Sequence, residues 1–481
     1  MDPTDLNAAE LSEAVHAGDL SCREVMAAHL DRIDARNPAV NAIVSLRPRD
    51  ELMAEAAACD EELAAGFTRG WLHGLPIAVK DLALTKGLRT TSGSRLLTDL
   101  VPEADCLMVA RMRAAGCLVI GKTNVPEFGL GSHTYNDVFG TTVNAYDPTR
   151  SAGGSSGGAA VALATRMVPV ADGSDYMGSL RNPAGWNNVF GFRPSQGRVP
   201  AWPTLDAFVG QLSTEGPMGR SVLDMALLLG TQAGPDLRVP LAIDSRLAGL
   251  DTVADARLTL ADEPAGVRVG WLADLGGHLA MEPGVLDTCQ AALHRLEALG
   301  CTVEPVALPS TVSLDQVWDA WVTWRHQVVG NGLAPLVADP ARRALMKPEA
   351  QWEVDGGAAL SGARFAAAAQ VRTAFHRAMV DLLRHVDVVA LPTAQVWPFA
   401  ADLHWPATVA GRNMDTYHRW MEVTIYATFA GLPAVAVPAG FGAAGLPMGL
   451  QLIGPQRADL DVLRLAAAYE TTISDLRVGQ A

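Results

Sequence analysis

The chain has 481 residues and a formal net charge of −15, with 49% hydrophobic and 19% charged residues. This balance predicts a folded chain with a large core and excludes a disordered one. The acidic surplus argues against general nucleic-acid binding, which depends on patches of Lys and Arg, and the sequence contains no run of positive charges.

The six cysteines are widely separated and none belongs to a C-x-x-C pair. Their spacing predicts neither a zinc site nor a disulfide framework, so we expect buried thiols in a reducing compartment. The first residues lack the charged-then-apolar pattern of a signal peptide, and no apolar run is long enough to cross a bilayer. A cytoplasmic protein without a membrane segment is therefore expected.

The beginning of the chain is predicted to be helical. Ser21–Glu24 form a capping box, and the apolar residues that follow recur at helical spacing as far as Asn37-Pro38, where we expect this helix to stop. An alanine-rich helix fits residues 49–65. Much later, residues 311–390 show mostly helical patterns and few strand signals.

Short apolar runs between the helices predict buried strands. They lie at residues 76–79 with Lys80 at the end, 117–124, 168–172, 386–392 and 432–441. A helix predicted at 104–115 separates two of them, and such alternation is typical of an α/β sheet with crossover helices. We find no clear repeat, linker or boundary, which favours one domain.

The segment Gly-Gly-Ser-Ser-Gly-Gly at 153–158 is compatible with three interpretations. A flexible linker fits poorly, because a helix is predicted at 159–167. An anion-binding turn at a helix N-terminus is a second, although the Gly-Lys-Ser/Thr ending of a nucleotide loop is absent. A G-x-S-x-G nucleophile elbow matches residues 153–157, but the preceding residues resemble a loop where an elbow needs a strand. The pattern alone leaves all three open.

A second polar segment, Gly-Ser-Asp-Tyr-Met-Gly-Ser-Leu-Arg at 173–181, follows a predicted strand. A tight turn here would direct several backbone N–H groups at one point, as an oxyanion hole requires. Gly178 beside Ser179 would let a substrate approach the backbone closely. Taken alone, the segment is equally compatible with an ordinary strand-to-loop turn.

Lys80 ends an apolar strand, whereas a lone lysine is usually a solvated surface charge. Burial lowers the pKa of a lysine. To act as a base near neutral pH, its pKa would have to fall by about three units, which corresponds to roughly 4 kcal/mol.

Taken together and in order, these segments resemble the amidase signature family. The matching motifs are IAVKDL around Lys80, GGSSGG at 153–158 and GSDYMGSLRNPA at 173–184, with 24 residues between the two serines Ser155 and Ser179. Flanking segments agree over nearly the whole chain. The resemblance implies a single amidase domain over 1–481, with a mixed, mostly parallel twisted central sheet covered by helices on both faces. Within it, residues 311–390 would form a variable helical segment on the substrate side.

The resemblance also implies a role for each matching residue. Ser179 would be the nucleophile, Ser155 a proton relay joined to Gly154 by a cis peptide bond, and Lys80 the general base. Four backbone N–H groups would bind the oxyanion: those of Tyr176, Met177, Gly178 and Ser179. Four residues would support the loops: Gly154, Ser156, Asp175 and Arg181. Neither a metal nor another cofactor is implied. Met177 departs from the family pattern, which commonly has Gly there, and its side chain is expected to reshape the pocket.

The implied activity is hydrolysis of carbon–nitrogen bonds in amides, extending to carbamates and esters, with aryl leaving groups expected. An alternative is the glutamine-hydrolysing subunit of a tRNA-dependent amidotransferase, which would need partner chains. A catalytically silent binding protein is a third, disfavoured because all three catalytic residues are retained. We expect a small-molecule amide-like substrate, no nucleic-acid or membrane partner, and at most a homodimer. The aromatic and polar segment 404–426 is expected near the substrate entrance.

Overall fold

The computed structural model describes residues 2–261, 264–309, 311, 313–476 and 478–481. Its strands are β1 Ile43–Val44, β2 Pro76–Lys80, β3 Leu118–Thr123, β4 Tyr135–Asn136, β5 Gly140–Thr141, β6 Val170–Asp175, β7 Phe190–Arg193, β8 Thr214–Gly219, β9 Arg268–Trp271, β10 Thr302–Pro305, β11 Val388–Pro392, β12 Thr408–Val409, β13 Arg412–Asn413, β14 Ala434–Phe441 and β15 Pro447–Ile453.

The helices begin near the N-terminus and continue to the last residues. They are α1 Ala8–Ala17, α2 Cys22–Val40, α3 Arg49–Ala64, α4 Leu107–Ala114, α5 Gly157–Ala164, α6 Arg181–Trp186, α7 Val222–Gln232, α8 Val253–Leu260, α9 Val285–Ala298, α10 Leu314–Arg325, α11 Asn331–Leu333, α12 Pro340–Arg343, α13 Pro348–Ala358, α14 Gly362–Leu382, α15 Ile425–Ala430 and α16 Asp459–Glu470. A π-helical turn, His326–Gly330, joins α10 to α11.

The large sheet has the strand order β10-β9-β11-β15-β14-β7-β8-β6. It is mixed, as expected, but the prediction that it is mostly parallel is wrong. Among the described strands of this sheet, the pairs β10–β9 and β9–β11 are parallel, and the other five pairs are antiparallel. The short connection 442–446 makes β14 and β15 a hairpin, which forces antiparallel pairing, whereas only a longer crossover such as α9 permits a parallel pair.

A smaller sheet with the order β1-β3-β2 carries Lys80 at the end of its parallel strand β2. Strand β2 packs against β6, the edge strand of the large sheet, and helix α5 packs against both. The carboxyl end of β2, the start of α5 and the turn after β6 therefore meet. This junction joins the three motifs found in the sequence.

Local signals predicted most helices well. The capping box at Ser21 is present, with its side chain accepting from Glu24 N–H and the Glu24 carboxylate accepting from Ser21 N–H. The predicted stop at Asn37-Pro38 is wrong, because α2 continues to Val40. A proline in the last turn removes one hydrogen bond without ending the helix, and Asn41 in the left-handed region (φ 51°) ends it instead.

The core is one extended apolar cluster that reaches from α1 to the end of the chain. The six cysteines are buried and unpaired, which confirms the expectation of buried thiols. Residues 311–390 are mostly helical, from α10 to α14, and position 312 lies outside the described residues. Within the described ranges, none of the helices combines the length and the apolar character that a bilayer crossing requires.

Candidate active site

Lys80 is 1% exposed and its ammonium group is surrounded by serine oxygens. Its Nζ donates to Ser155 Oγ at 2.9 Å and to Ser156 Oγ at 2.8 Å. It also lies 3.0 Å from Ser174 Oγ and 3.1 Å from the Ser174 carbonyl oxygen. The sequence indicated the first two serines. The contact with Ser174 was missed, because nothing in a strand residue's local pattern shows which side chain it faces across 94 positions.

Burial lowers the pKa of Lys80 to about 7, against the opposing influence of nearby carboxylates. Asp172 is fully buried, and its carboxylate accepts the Lys80 backbone N–H at 3.2 and 3.3 Å from its two oxygens. Burial raises the pKa of Asp172 to about 6 and that of Glu215 to about 8, and it lowers the pKa of Lys122 to about 8. Lys80 therefore titrates near neutrality within a group of buried charges, as a general base requires.

The glycine–serine segment 153–158 is an ordered loop, which excludes a flexible linker. Ser132 Oγ donates to the Gly154 carbonyl at 2.9 Å, and Thr134 Oγ1 donates to the Gly153 carbonyl at 2.8 Å. The Gly154–Ser155 peptide bond is cis, as the resemblance implies. No strand immediately precedes the segment, so it is not a nucleophile elbow, and α5 begins at Gly157.

The turn after β6 holds Ser179 against the first two motifs. The Asp175 carboxylate accepts the backbone N–H groups of Gly178 at 2.8 Å and Leu180 at 3.2 Å. Gly178 has φ 78°, and a Cβ there would lie 2.5 Å from Thr424. Glycine is therefore required by the turn and by the close approach of Thr424.

Asp175 is stabilised as a carboxylate by two buried arginines. Burial alone would raise its pKa, but Arg181 and Arg193 hold the pKa of this carboxyl group well below its usual range. Arg181 also donates to Gln451 Oε1 at 2.5 Å and to the Thr424 carbonyl at 3.0 Å. The two supporting residues named from the sequence, Asp175 and Arg181, are thus paired with each other.

The predicted oxyanion donors do not have equivalent surroundings. The Gly178 N–H points to Asp175, whereas the N–H groups of Tyr176, Met177 and Ser179 have no acceptor among the described residues. Within the same ranges, Ser179 Oγ makes no hydrogen bond, and none joins it to Ser155. Ser179 is 4% exposed and lines a cavity of about 240 Å³.

The cavity has three serines at one side and a largely apolar wall. The serines are Ser155, Ser174 and Ser179. The apolar wall is formed by Leu82, Phe128, Leu130, Met177, Val328, Val329, Leu333 and Met421. Arg325 is the charged residue among the described residues that line it. Sequence reasoning did not single out Arg325 or the valines after it, and from segment 404–426 only Met421 is on this wall.

Comparison with known proteins gives a consistent result. The Amidase family model matches residues 24–463. The chain is 38% identical to a glutamyl-tRNA(Gln) amidotransferase subunit from Salinispora arenicola, over 98% of each chain. Its structure resembles that of a bacterial aryl acylamidase of the amidase signature family (TM-score 0.89, 32% identity, 97% of this chain and 96% of that one). It also resembles a glutamyl-tRNA(Gln) amidotransferase subunit from Thermotoga maritima (TM-score 0.77, 28% identity, 98% and 95%).

These relatives correct one expectation. We expected a small-molecule amide-like substrate, no nucleic-acid partner and at most a homodimer. This expectation is wrong, because the Salinispora relative is named as one subunit of an enzyme that acts on a tRNA-linked glutamyl group. The acidic net charge misled the prediction, since it describes the whole surface and not what an enzyme built from several chains binds.

The resemblance seen in three sequence motifs is confirmed by the family match over most of the chain and by the structural similarity. The same motifs meet at the junction of β2, α5 and the turn after β6. The chain belongs to the Amidase family.

Proposed function

We propose that this protein hydrolyses the carbon–nitrogen bond of an amide through an acyl-enzyme on Ser179. The observation that carries the proposal is the buried Lys80, whose Nζ contacts Ser155 Oγ at 2.9 Å beside the cavity that Ser179 lines. A lysine with a pKa near 7 is partly neutral at physiological pH and accepts a proton readily.

The proposed reaction moves one proton along the three residues. Neutral Lys80 accepts the hydroxyl proton of Ser155, which takes the proton of Ser179 as Ser179 Oγ attacks the substrate carbonyl carbon. Hydrogen bonds of this kind are often formed only when substrate is bound, so the absence of a Ser155–Ser179 bond within the described residues is compatible with the relay. The same route in reverse protonates the leaving nitrogen, and water then hydrolyses the acyl ester.

Stabilisation of the oxyanion is assigned to backbone N–H groups of the turn. The N–H groups of Tyr176, Met177 and Ser179 lack acceptors within the described residues, which supports them as donors. The Gly178 N–H is already bound to Asp175, so its proposed contribution is to the shape of the turn. Ser156 and Ser174 hold the Lys80 amine in place.

The first candidate substrate is the side-chain amide of glutamine, with this protein as the glutamine-hydrolysing subunit of a tRNA-dependent amidotransferase. The similarity to the Salinispora relative over nearly the whole of both chains supports this candidate. Hydrolysis would release ammonia, and partner chains would direct it to a glutamyl-tRNA.

The second candidate is an amide, carbamate or ester with an apolar acyl or aryl group. The apolar wall of the cavity favours it, since leucine, valine and phenylalanine side chains bind hydrocarbon surface. The similarity to the aryl acylamidase structure points the same way.

Initial rates on glutamine and on matched aryl amide, carbamate and ester substrates separate the two candidates. The wild type is compared with Ser179→Ala and with Ser213→Ala, a change at an exposed serine that lines the same cavity. Serine-dependent release of ammonia from glutamine supports the first candidate, and serine-dependent release of an aryl amine supports the second. If Ser179→Ala retains the wild-type rate on the substrate that is turned over, the proposed mechanism is wrong.

A further inference from the structure

Arg325 occupies an unusual position for a charged side chain. It is the last residue of α10, is 3% exposed, and lines the same cavity as Ser179. Its Nε and Nη2 donate to one oxygen of Glu353 at 2.9 and 2.6 Å, and Nη2 also donates to the Tyr417 hydroxyl at 2.6 Å. One edge of the guanidinium group is therefore firmly bonded.

The other edge carries Nη1 and is nearly unpaired. Among the described residues, its partner is the Met177 sulfur at 4.0 Å. A thioether is a weak acceptor, and a buried charged donor without an oxygen acceptor is costly. The rings of Tyr176 and Tyr417 lie 5.3 and 5.7 Å from the guanidinium carbon and restrict its movement. A fixed, unsatisfied donor on a cavity wall is suited to bind a ligand oxygen.

We infer that Arg325 Nη1 donates a hydrogen bond to an oxygen in the acyl part of the substrate, beyond the carbonyl that Ser179 attacks. This rests on the proposed acyl-enzyme at Ser179. The acceptor is a carboxylate or a carbonyl oxygen, both of which a guanidinium group binds. Arg325 thus determines specificity in the acyl group and takes no part in bond cleavage.

This assignment suits a chain of defined length and polarity. In glutamine, three carbons separate the side-chain amide carbonyl from the α-carboxylate, the same number as in a glutaryl chain. An acyl group of this kind would place three carbons along the apolar wall and its oxygen at the guanidinium group. The Met177 side chain, which departs from the family pattern, is the group that such an oxygen would displace from Nη1.

The test uses three p-nitroanilides: the glutaryl compound, its methyl ester and the apolar hexanoyl compound. For Arg325→Met, we expect kcat/KM on the oxygen-bearing substrate to fall about 10- to 100-fold, because a charge-assisted hydrogen bond is lost. We expect a change of less than about threefold on the hexanoyl compound. A loss confined to the glutaryl compound identifies a carboxylate, and a loss shared with the ester identifies a carbonyl. Equal losses on all three compounds would overturn the inference.

Two variants control for structural damage. Arg325→Met leaves Glu353 buried without its partner, so the double variant Arg325→Met/Glu353→Gln removes that charge and should show the same substrate dependence. Arg372→Met removes a half-buried arginine that packs on Trp324 at 4.6 Å and does not line the cavity. It should change the rates on the three compounds equally.

Binding to Ser179→Ala tests the inference without turnover. Titration calorimetry should show tighter binding of an oxygen-bearing anilide than of the hexanoyl compound, and Arg325→Met should abolish that difference. If the wild type hydrolyses none of the anilides but this difference in affinity is present, the inference holds and the proposed function fails for these substrates. If Ser179→Ala binds the three compounds equally or not at all, the inference is wrong.

Discussion

Arg181 donates from Nε and Nη2 to the two carboxylate oxygens of Asp175, at 2.9 and 3.0 Å, and both side chains are fully buried. The same carboxylate accepts the N–H groups of Gly178 and Leu180, on either side of Ser179. One buried ion pair therefore holds the turn that presents the proposed nucleophile. Arg193 completes this arrangement by donating to the Asp175 backbone carbonyl.

We expect Arg181→Met to lower the free energy of unfolding by about 3–5 kcal/mol, because it leaves the buried Asp175 carboxylate with one of its two cations removed. Urea denaturation followed by circular dichroism measures the change. Arg343→Met breaks an exposed pair with Asp355 and serves as the control, with an expected loss below about 1 kcal/mol. Equal stability of Arg181→Met and wild type would show that the pair is not structurally important.

We expect Ser179→Ala to reduce kcat at least about 1,000-fold while leaving the thermal unfolding midpoint close to that of wild type, since the change removes the attacking oxygen and little else. Ser213→Ala, at an exposed serine of the same cavity, should retain kcat within about twofold. Comparable rates for the two variants on a substrate of the wild-type enzyme would remove Ser179 from the mechanism.

We expect Lys80→Met to reduce kcat by a factor similar to that of Ser179→Ala, because the proposed relay fails without its base. The double variant should be little worse than either single variant, since the residues act as a unit. Steady-state rates of the four proteins form the required cycle. Independent, multiplying losses would indicate that Lys80 and Ser179 serve separate steps.

We expect kcat/KM to rise with pH through about 7 and then level off, because only neutral Lys80 accepts a proton and burial lowers its pKa to about 7. The Asp172 carboxylate favours the charged form of Lys80 and so raises its pKa. Asp172→Asn should therefore shift the acid limb of the pH profile to lower pH, by up to about one unit. Rates measured from pH 5 to 9 define the limb.

A control for this pH shift is Asp224→Asn. Asp224 is a fully buried carboxylate whose pKa burial raises to about 6, but it does not influence the pKa of Lys80. This variant should leave the acid limb where the wild type has it. A shift to higher pH in Asp172→Asn would contradict the assigned sign of the interaction.

Much of the local structure could be predicted from residue patterns. The apolar run before Lys80 is a buried strand, the capping box at Ser21 begins a helix, and residues 311–390 are mostly helical in the part the structure describes. These features depend on spacing between near neighbours, which a single sequence displays. The helix stop at Pro38 was wrong, because whether a proline ends a helix depends on its distance from the last turn.

Strand direction in the large sheet was harder to predict. Alternating helices and strands indicate an α/β fold, but pairing depends on which strands become neighbours. Strand β14 pairs with β7 and β15, and β6 pairs with β8, so most pairs are antiparallel. Periodicity within a strand does not reveal that order, because it records burial and not the partner.

The sequence by itself determined the family, the three motifs and the chemical groups they bring, because each motif is a short run whose residue types and order can be read directly. Only the tertiary structure decided which atoms meet: that Lys80 contacts Ser174 as well as Ser155, that Asp175 occupies the Gly178 N–H, and that Arg325 faces the cavity of Ser179. These contacts join segments up to about 150 residues apart, and such distances are set by the packing of two sheets and a helical segment around one core.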